Sequence, residues 1–150
     1  MGRRDDRGGG RLVSERIFTP AEVDALLPRL SALVETMIDR HRVASALARE
    51  LRADQERIQV AGGSRIDQAE WKARAERLDG LGIEVRAALE AIGELGGAVK
   101  DLEMGLVDFP GRVPDVMGET TVNLCWKHGE TAVRFWHGFD EGYASRKPLP

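Results

Sequence analysis

The sequence predicts an α+β fold, in which a long antiparallel two-helix hairpin, coiled-coil-like in its spacing, is followed by a small C-terminal antiparallel β-hairpin. Three observations carry this prediction. Apolar residues recur at alternating steps of four and three along two successive segments, which is the spacing of a coiled-coil seam. A glycine-containing turn at residues 61–64 separates these segments, so they should fold back on each other. Beyond Glu119 the apolar period becomes two, which is typical of strands.

The first helix has a strong start signal. Thr19 can cap it, Pro20 suits the first helical position, and Glu22 completes a capping box by reaching back to the Thr19 amide. We expect the helix to run to about Val60 with a kink near Leu27, because the proline that follows removes one hydrogen bond. Its seam consists of Val23, Leu27, Leu30, Val34, Met37, His41, Ala44, Ala48, Leu51, Gln55 and Ile58.

The second helix has a matching seam, and its helical spacing predicts that it continues to about Glu103. Antiparallel pairing places His41 opposite Leu89, where a single histidine is more typical of a core position than of a metal ligand. The second seam consists of Trp71, Ala75, Leu78, Gly82, Val85, Leu89, Ile92, Gly96 and Val99. One layer contains small residues only, namely Ala44, Ala48 and Gly82. Such a layer indicates a close approach of the helices or, alternatively, a notch that another element fills.

The apolar stripe of the first helix is wider than a single partner helix covers. The additional residues beside the seam are Leu26, Leu33, Ile38 and Leu47. Either the C-terminal segment or a second copy of the chain must cover them. A second copy would close a four-helix bundle with two-fold symmetry. We therefore expect a homodimer, with a protein partner along the helices as a further interpretation.

The C-terminal hairpin is predicted to turn at His128 and Gly129, since both positions of such a turn favour residues that tolerate positive φ. The resulting pairs are Trp126 with Thr131, Leu124 with Val133, and Val122 with Phe135. In this register His137 lies on the face that packs on the helices, at the far end of its strand. The outward face holds Asn123, Cys125, Arg134 and Trp136. A solitary cysteine in that position is typical of an inert thiol.

Acidic residues near the open end of the helical hairpin suggest a site. If the β-hairpin docks there, Glu103, Asp108 and His137 converge. One histidine with carboxylates suits a divalent transition metal, or a general base that an acid orients. The structural alternative remains open, in which Glu103 caps a backbone amide and His137 binds a carbonyl group.

Composition disfavours several classes of protein. The formal net charge of −3 gives no field that would attract nucleic acid or an anionic membrane. The single cysteine excludes an internal disulfide, and no apolar run of about 18 residues could span a bilayer. Because no apolar stretch follows the N-terminal arginines, we expect a cytoplasmic protein with a disordered tail at 1–15 and one domain at 16–150. The sequence contains no phosphate-binding glycine loop, G-x-S-x-G elbow or cysteine cluster.

Three segments resemble an uncharacterised prokaryotic family known as domain of unknown function twenty-two-oh-three. They are FTPAEVDALLPRL, KDLEMGLVDFP, and VNLCWKHGE followed by FWHGFDEGYASRKPL, and the resemblance extends from Ile17 to Leu149. The LCW strand, WH-x-x-x-x-G loop and R-x-P-L ending of the family are matched by Leu124, Cys125, Trp126, Trp136, His137, Gly142, Arg146, Pro148 and Leu149. The segment 114–118 lengthens the turn before the strand. The resemblance implies no reaction, but it implies fixed polar and aromatic positions at one end of the fold.

These observations predict a cytoplasmic binding or interaction protein with a polar pocket where the helices meet the β-hairpin. The candidate metal ligands are Glu103, Asp108 and His137, and the candidate ligand-binding residues are Trp126, Asp140 and Arg146. The cofactor that these residues suit is a divalent transition metal. Two alternatives remain: a small metal-dependent or acid/base enzyme that uses the same three ligands, and a purely structural coiled-coil adaptor.

Overall fold

A computed structural model describes residues 16–60, 67–113 and 121–150. It confirms an α+β fold in which a helical hairpin precedes an antiparallel sheet. The elements are α1 (Pro20–Val60), α2 (Gln68–Leu95), β1 (Ala98–Asp101), β2 (Leu106–Arg112), β3 (Thr121–Lys127), β4 (Phe135–His137) and β5 (Lys147–Pro148), with a 3-10 helix at Tyr143–Ser145. The predicted tail, the turn at 61–64 and the insertion at 114–118 lie outside the described residues.

The start of α1 is the predicted capping box. Thr19 Oγ1 accepts a hydrogen bond from the Glu22 amide at 3.2 Å, and Glu22 Oε1 accepts one from the Thr19 amide at 3.0 Å. Each side chain thereby satisfies an amide that the first turn leaves without a helical partner. Pro28 lies inside the helix, and the helix ends at Val60. Both predicted ends of this helix are confirmed.

Helix α2 is shorter than predicted, and the continuation to Glu103 is wrong. The helix ends at Leu95 because Gly96 adopts a left-handed conformation with φ of 102°. This conformation favours glycine and lets the amides of Gly96 and Gly97 bond back to Gly93 and Ile92 at 3.0 and 3.1 Å. The chain then enters β1, and the other residues with apparent helical spacing, Leu102 and Glu103, lie in the turn between β1 and β2.

The sheet has five strands in the order β1-β2-β3-β4-β5, so each strand pairs with its neighbour in sequence. It is therefore larger than the predicted two-stranded hairpin. Strands β2 and β3 are paired along their whole length, with Asp108 opposite Cys125. Phe18, just before α1, forms a parallel bridge to Gly111, which ties the start of the helical hairpin to β2.

The register between β3 and β4 differs from the prediction. Leu124 is opposite Trp136 instead of Val133, a shift of three residues. Because side chains alternate between the two faces of a sheet, an odd shift exchanges the faces. Trp136 therefore lies in the core with the helices. His137 pairs with Asn123 and lies on the outer face, which also carries Cys125.

The physical reason is a contact with α1. The predicted turn forms, since the Glu130 amide donates to the Lys127 carbonyl oxygen at 3.0 Å. The chain beyond the turn does not pair with β3, however. The Val133 amide donates to Asp24 Oδ1 of α1 at 2.7 Å, and Trp126 Nε1 donates to the Glu130 carbonyl oxygen at 2.9 Å. These two hydrogen bonds keep the residues after the turn from pairing with β3, and the pairing of β4 with β3 begins only at Phe135.

Among the described residues, the apolar core consists of two clusters. The larger lies between the inner face of the sheet and the adjoining parts of both helices, and Leu26, Leu33 and Ile38 pack against it. The sheet thus covers these additional apolar residues of α1, which lie beside the predicted seam. The smaller cluster, Leu47, Leu51 and Leu81, lies between the helices farther along the hairpin. A Cβ atom at Gly82 would meet nothing within 4 Å, so this position does not bring the helices into close contact. The dimer and the protein partner stay predictions.

Candidate metal centre

Three potential metal ligands meet on the outer face of the sheet. They are Asp108 of β2, Cys125 of β3 and His137 of β4, which are adjacent strands. Their ligand atoms lie within 4.8 Å of one another. The exposed fractions of these residues are only 4%, 1% and 3%, respectively. We call these three residues the Asp-Cys-His cluster.

Both ring nitrogen atoms of His137 have defined partners. Nδ1 lies 2.8 Å from the Gly138 carbonyl oxygen, and Nε2 lies 3.0 Å from Asp108 Oδ2. A carbonyl oxygen can only accept, so we assign the ring proton to Nδ1. In a neutral imidazole, Nε2 then presents a lone pair to a carboxylate oxygen, which is also an acceptor. A proton on either of the two atoms makes this contact a hydrogen bond, and a metal ion between them is the other arrangement that joins two acceptors.

The separations suit a metal ion. Ligand bonds of about 2.0–2.2 Å to zinc in a tetrahedron place neighbouring nitrogen and oxygen atoms about 3.3 Å apart. The observed distance of 3.0 Å between Nε2 and Oδ2 is close to that value. The bond from Nδ1 to a backbone carbonyl is, moreover, the second contact that metal-binding histidines commonly make. The Asp108 and His137 atoms thus have nearly the spacing of two metal ligands, whereas the set of three, within 4.8 Å of one another, would draw closer around an ion.

Electrostatics do not favour Cys125 as a nucleophile. Burial, followed by the negative charge of Asp108, raises the pKa of its thiol to about 11. Arg146 Nη1, 4.0 Å from the sulfur, acts in the opposite direction without offsetting this. Catalytic cysteines need a lowered pKa, which a neighbouring histidine often provides by turning a ring nitrogen toward the sulfur. Here the histidine nitrogens are bonded to Asp108 and Gly138 instead.

A segment after β4, residues 138–146, covers the cluster. Arg146 anchors its end through two bonds to Glu130 of 3.1 and 3.2 Å. The guanidinium also lies 3.9 Å from the ring centroid of Phe135 and 4.6 Å from that of Tyr143. Nearer its start, Glu141 bonds to Lys147 at 2.9 Å and accepts from the Gly138 amide at 3.1 Å. The Lys147 bond, and then the amide, lower the pKa of the Glu141 carboxyl group.

A cleft of about 320 Å³ opens between this covering segment and the sheet. All three members of the Asp-Cys-His cluster line it. The remaining wall is contributed by Lys100, Asp101, Leu106, Asn123, Phe139, Glu141, Gly142 and Tyr143. A small molecule in the cleft would thus reach the cluster directly.

The predicted site residues are only partly brought together. Asp108 and His137 meet, whereas Glu103 lines a different cleft beside α1, together with His41 and Arg42. Trp126 is fully buried in the inner core, where its indole N–H bonds to Glu130. Arg146 borders the cluster through Cys125, and the exposed Asp140 is not part of the cleft wall.

Sequence reasoning missed Cys125 as a ligand, although it placed the residue on the outward face. The missing information was that His137 shares this face. Glu130, the partner of Arg146, had no predicted role at a site. One signal was available in the segments that carry the family resemblance. Asp108 lies in VDFP, Cys125 in NLCW and His137 in FWHG.

Comparison with known proteins identifies the family. The model of the family described as "Uncharacterized conserved protein (DUF2203)" matches residues 16–149. The chain belongs to this family. Neither a curated protein nor a solved structure gives a significant match. The family description names no activity, so function must be argued from the site. Among the described residues, no helix is long and apolar enough to cross a membrane.

Proposed function

We propose that this member of the DUF2203 family binds a divalent transition metal ion through Asp108, Cys125 and His137. The observation that carries the proposal is the convergence of three buried ligand groups from three adjacent strands. Hydrogen-bonded strands hold their side chains in fixed relative positions, so the ligands are preorganised before an ion arrives.

The donor set selects the kind of metal. Thiolate and imidazole ligands suit zinc and neighbouring transition metals, whereas magnesium and calcium prefer oxygen ligands alone. Binding would require Cys125 to release its proton, and the charge of the metal supplies the driving force for that release. We therefore expect zinc, cobalt or a similar ion rather than an alkaline-earth metal.

Cys125 distinguishes this proposal from a purely structural one. An Asp108–His137 pair alone could serve as a buried hydrogen-bonded link within the sheet. Such a link does not need a thiol at the directly opposed position of β3. The acid/base alternative is supported by the same pair, but Glu103 lies in another cleft and does not contribute to it.

The first test is the metal content of untagged protein, measured by plasma mass spectrometry. The second is reconstitution of metal-free protein with Co(II), because cobalt bound by a thiolate gives a charge-transfer absorption in the near ultraviolet. We expect about one ion per chain and this absorption. Both should be lost in Cys125→Ser, and metal binding should be strongly weakened in His137→Ala.

Two variants serve as controls. His128→Ala removes an exposed histidine from the neighbouring turn, and Glu103→Gln removes the predicted ligand that lies elsewhere. Both should retain the metal and the spectrum. If the native protein binds no Co(II), or if Cys125→Ser binds it equally well, the Asp-Cys-His cluster is not a metal centre.

A further inference from the structure

We infer that the metal centre is open toward the cleft and takes a small organic carboxylate as an external ligand, with Lys100 as the counter-ion. This inference rests on the proposed metal function and names the ligand class of the same site. It is carried by the number of protein ligands, by the charges of the cleft wall, and by the shape and lining of the cleft.

The number of ligands comes first. Structural zinc sites are closed by four protein ligands, whereas sites that bind substrates have three and leave one position free. Across residues 16–60, 67–113 and 121–150, the cluster contains three such groups, and no other histidine, cysteine or acid joins it. Because all three groups line the cleft, the free position would face this space.

The charges of the residues that line the cleft are the second argument for an anionic ligand. A dication bound by one thiolate and one carboxylate is neutral overall. Of the other acids in the wall, Glu141 is paired with Lys147, and Asp101 accepts the amides of Glu103 and Met104 at 2.9 and 2.7 Å. Lys100, in contrast, has no ion pair with any carboxylate of the described residues. Amide hydrogen bonds do not remove the negative charge of Asp101, so the charges of these groups sum to zero. Lys100 is nevertheless the cation of the wall that can pair with an incoming carboxylate.

The remaining lining defines the body of the ligand. Leu106 and the rings of Phe139 and Tyr143 form an apolar part of the wall, and Phe139 is 58% exposed. An exposed aromatic ring beside a polar centre is suited to contact with an apolar group. The Asn123 side chain has no hydrogen-bond partner among the described residues and can donate to a carboxylate oxygen. A volume of about 320 Å³ suits a molecule of the size of benzoate.

The test uses Co(II)-loaded protein titrated with benzoate, with benzamide as the neutral isostere. A ligand that enters the coordination sphere changes the visible d–d bands of cobalt. We expect a saturable change with benzoate and none with benzamide. Lys100→Met should weaken benzoate binding by about tenfold. Lys72→Met, which removes an exposed lysine of α2, should leave it unchanged.

The outcomes separate the proposed metal function from the proposed carboxylate binding. If the thiolate–cobalt absorption is present but benzoate leaves the visible spectrum unchanged, the site is closed and this inference fails while the metal function stands. If benzamide binds as tightly as benzoate, or Lys100→Met binds benzoate as tightly as the native protein, the counter-ion role is wrong. If Co(II) gives no thiolate absorption, the metal function and this inference fail together.

Discussion

Asp108 and His137 lie on strands that do not pair with each other, yet His137 Nε2 is 3.0 Å from Asp108 Oδ2 across the intervening β3. Both residues are almost fully buried. Cys125 is the β3 residue directly opposite Asp108, so the carboxylate and the imidazole meet beside its sulfur. Three groups that can each bind a metal ion are thereby brought together on the outer face of the sheet.

Replacement of Asp108 by asparagine tests this view. The side-chain amide of Asp108→Asn can donate to the lone pair of a neutral His137 Nε2, so the hydrogen bond between β2 and β4 is kept without a carboxylate. We expect the free energy of unfolding of the metal-free protein to stay the same or rise by up to about 1 kcal/mol. Metal binding should be strongly weakened at the same time. Urea unfolding with a chelator and Co(II) titration measure the two quantities. A loss of several kcal/mol without metal would instead show that the carboxylate is structural.

Glycine substitutions test the packing of the sheet on α1. In Gly111→Ala the new Cβ would overlap with Leu124 Cγ and lie 3.0 Å from the Phe18 carbonyl oxygen. Because the second contact is with backbone, we expect destabilisation of about 1–3 kcal/mol. Gly82→Ala is the matched control inside α2, where the Cβ meets nothing within 4 Å. It should stabilise by up to about 1 kcal/mol through helix propensity. If both variants changed the free energy of unfolding in urea by the same amount, the described packing around Gly111 would be contradicted.

Glu22 gives a pH-dependent contribution to stability. Hydrogen bonds from Arg16, and then from the Thr19 amide and hydroxyl, lower the pKa of its carboxyl group below 4.5. Its stabilising effect is therefore present above the unfolded-state pKa and is lost as the pH falls through the lower folded-state value. We expect the stability difference between native protein and Glu22→Gln to shrink as the pH is lowered below about 4.5. A difference that stays constant from pH 7 to pH 3 would contradict this assignment.

Arg146 should control access to the Asp-Cys-His cluster. Arg146→Lys keeps the positive charge but loses the paired bonds to Glu130 and the stacking on Phe135. We expect the covering segment to open more often, so that metal-free Cys125 reacts several-fold faster with a disulfide reagent such as DTNB. The chain has a single cysteine, so the reaction reports this site alone. Arg134→Lys, at an exposed position, is the control, and equal rates in both variants would contradict the role of Arg146.

The helical half of the fold was predictable because its signals are local. The capping box at Thr19 and the seam of α1 depend on residues three or four apart. The capping box is observed, and the predicted seam is buried at Val23, Leu27, Leu30, Val34, Met37 and Leu51. The end of α2 was missed because Gly96 lies in register with the seam, so its left-handed conformation had no signature in the periodicity. Gly96 was thus the signal for the helix end, but an earlier glycine of the same seam, Gly82, lies inside the helix.

The candidate site was only half predictable, for a different reason. Asp108 and His137 were chosen by residue type, but their neighbour Cys125 depended on the register of β4. That register is set by the bond between the Val133 amide and Asp24, residues 109 apart in sequence. A hairpin rule cannot include such a contact, and a three-residue shift reverses every side chain of the strand. The histidine was therefore expected on the wrong face.

The division of the core into two clusters has a consequence for amide hydrogen exchange. The part of the hairpin around Leu51 and Leu81 is held by a small cluster without a sheet, whereas Ile92 belongs to the large one. Amides near Leu51 should exchange through local opening, and those near Ile92 only through global unfolding. The far end of the hairpin can then fray while β2, β3 and β4 keep their registers. A ligand bound in the cleft should slow exchange in these strands and leave the rates at the far end unaltered.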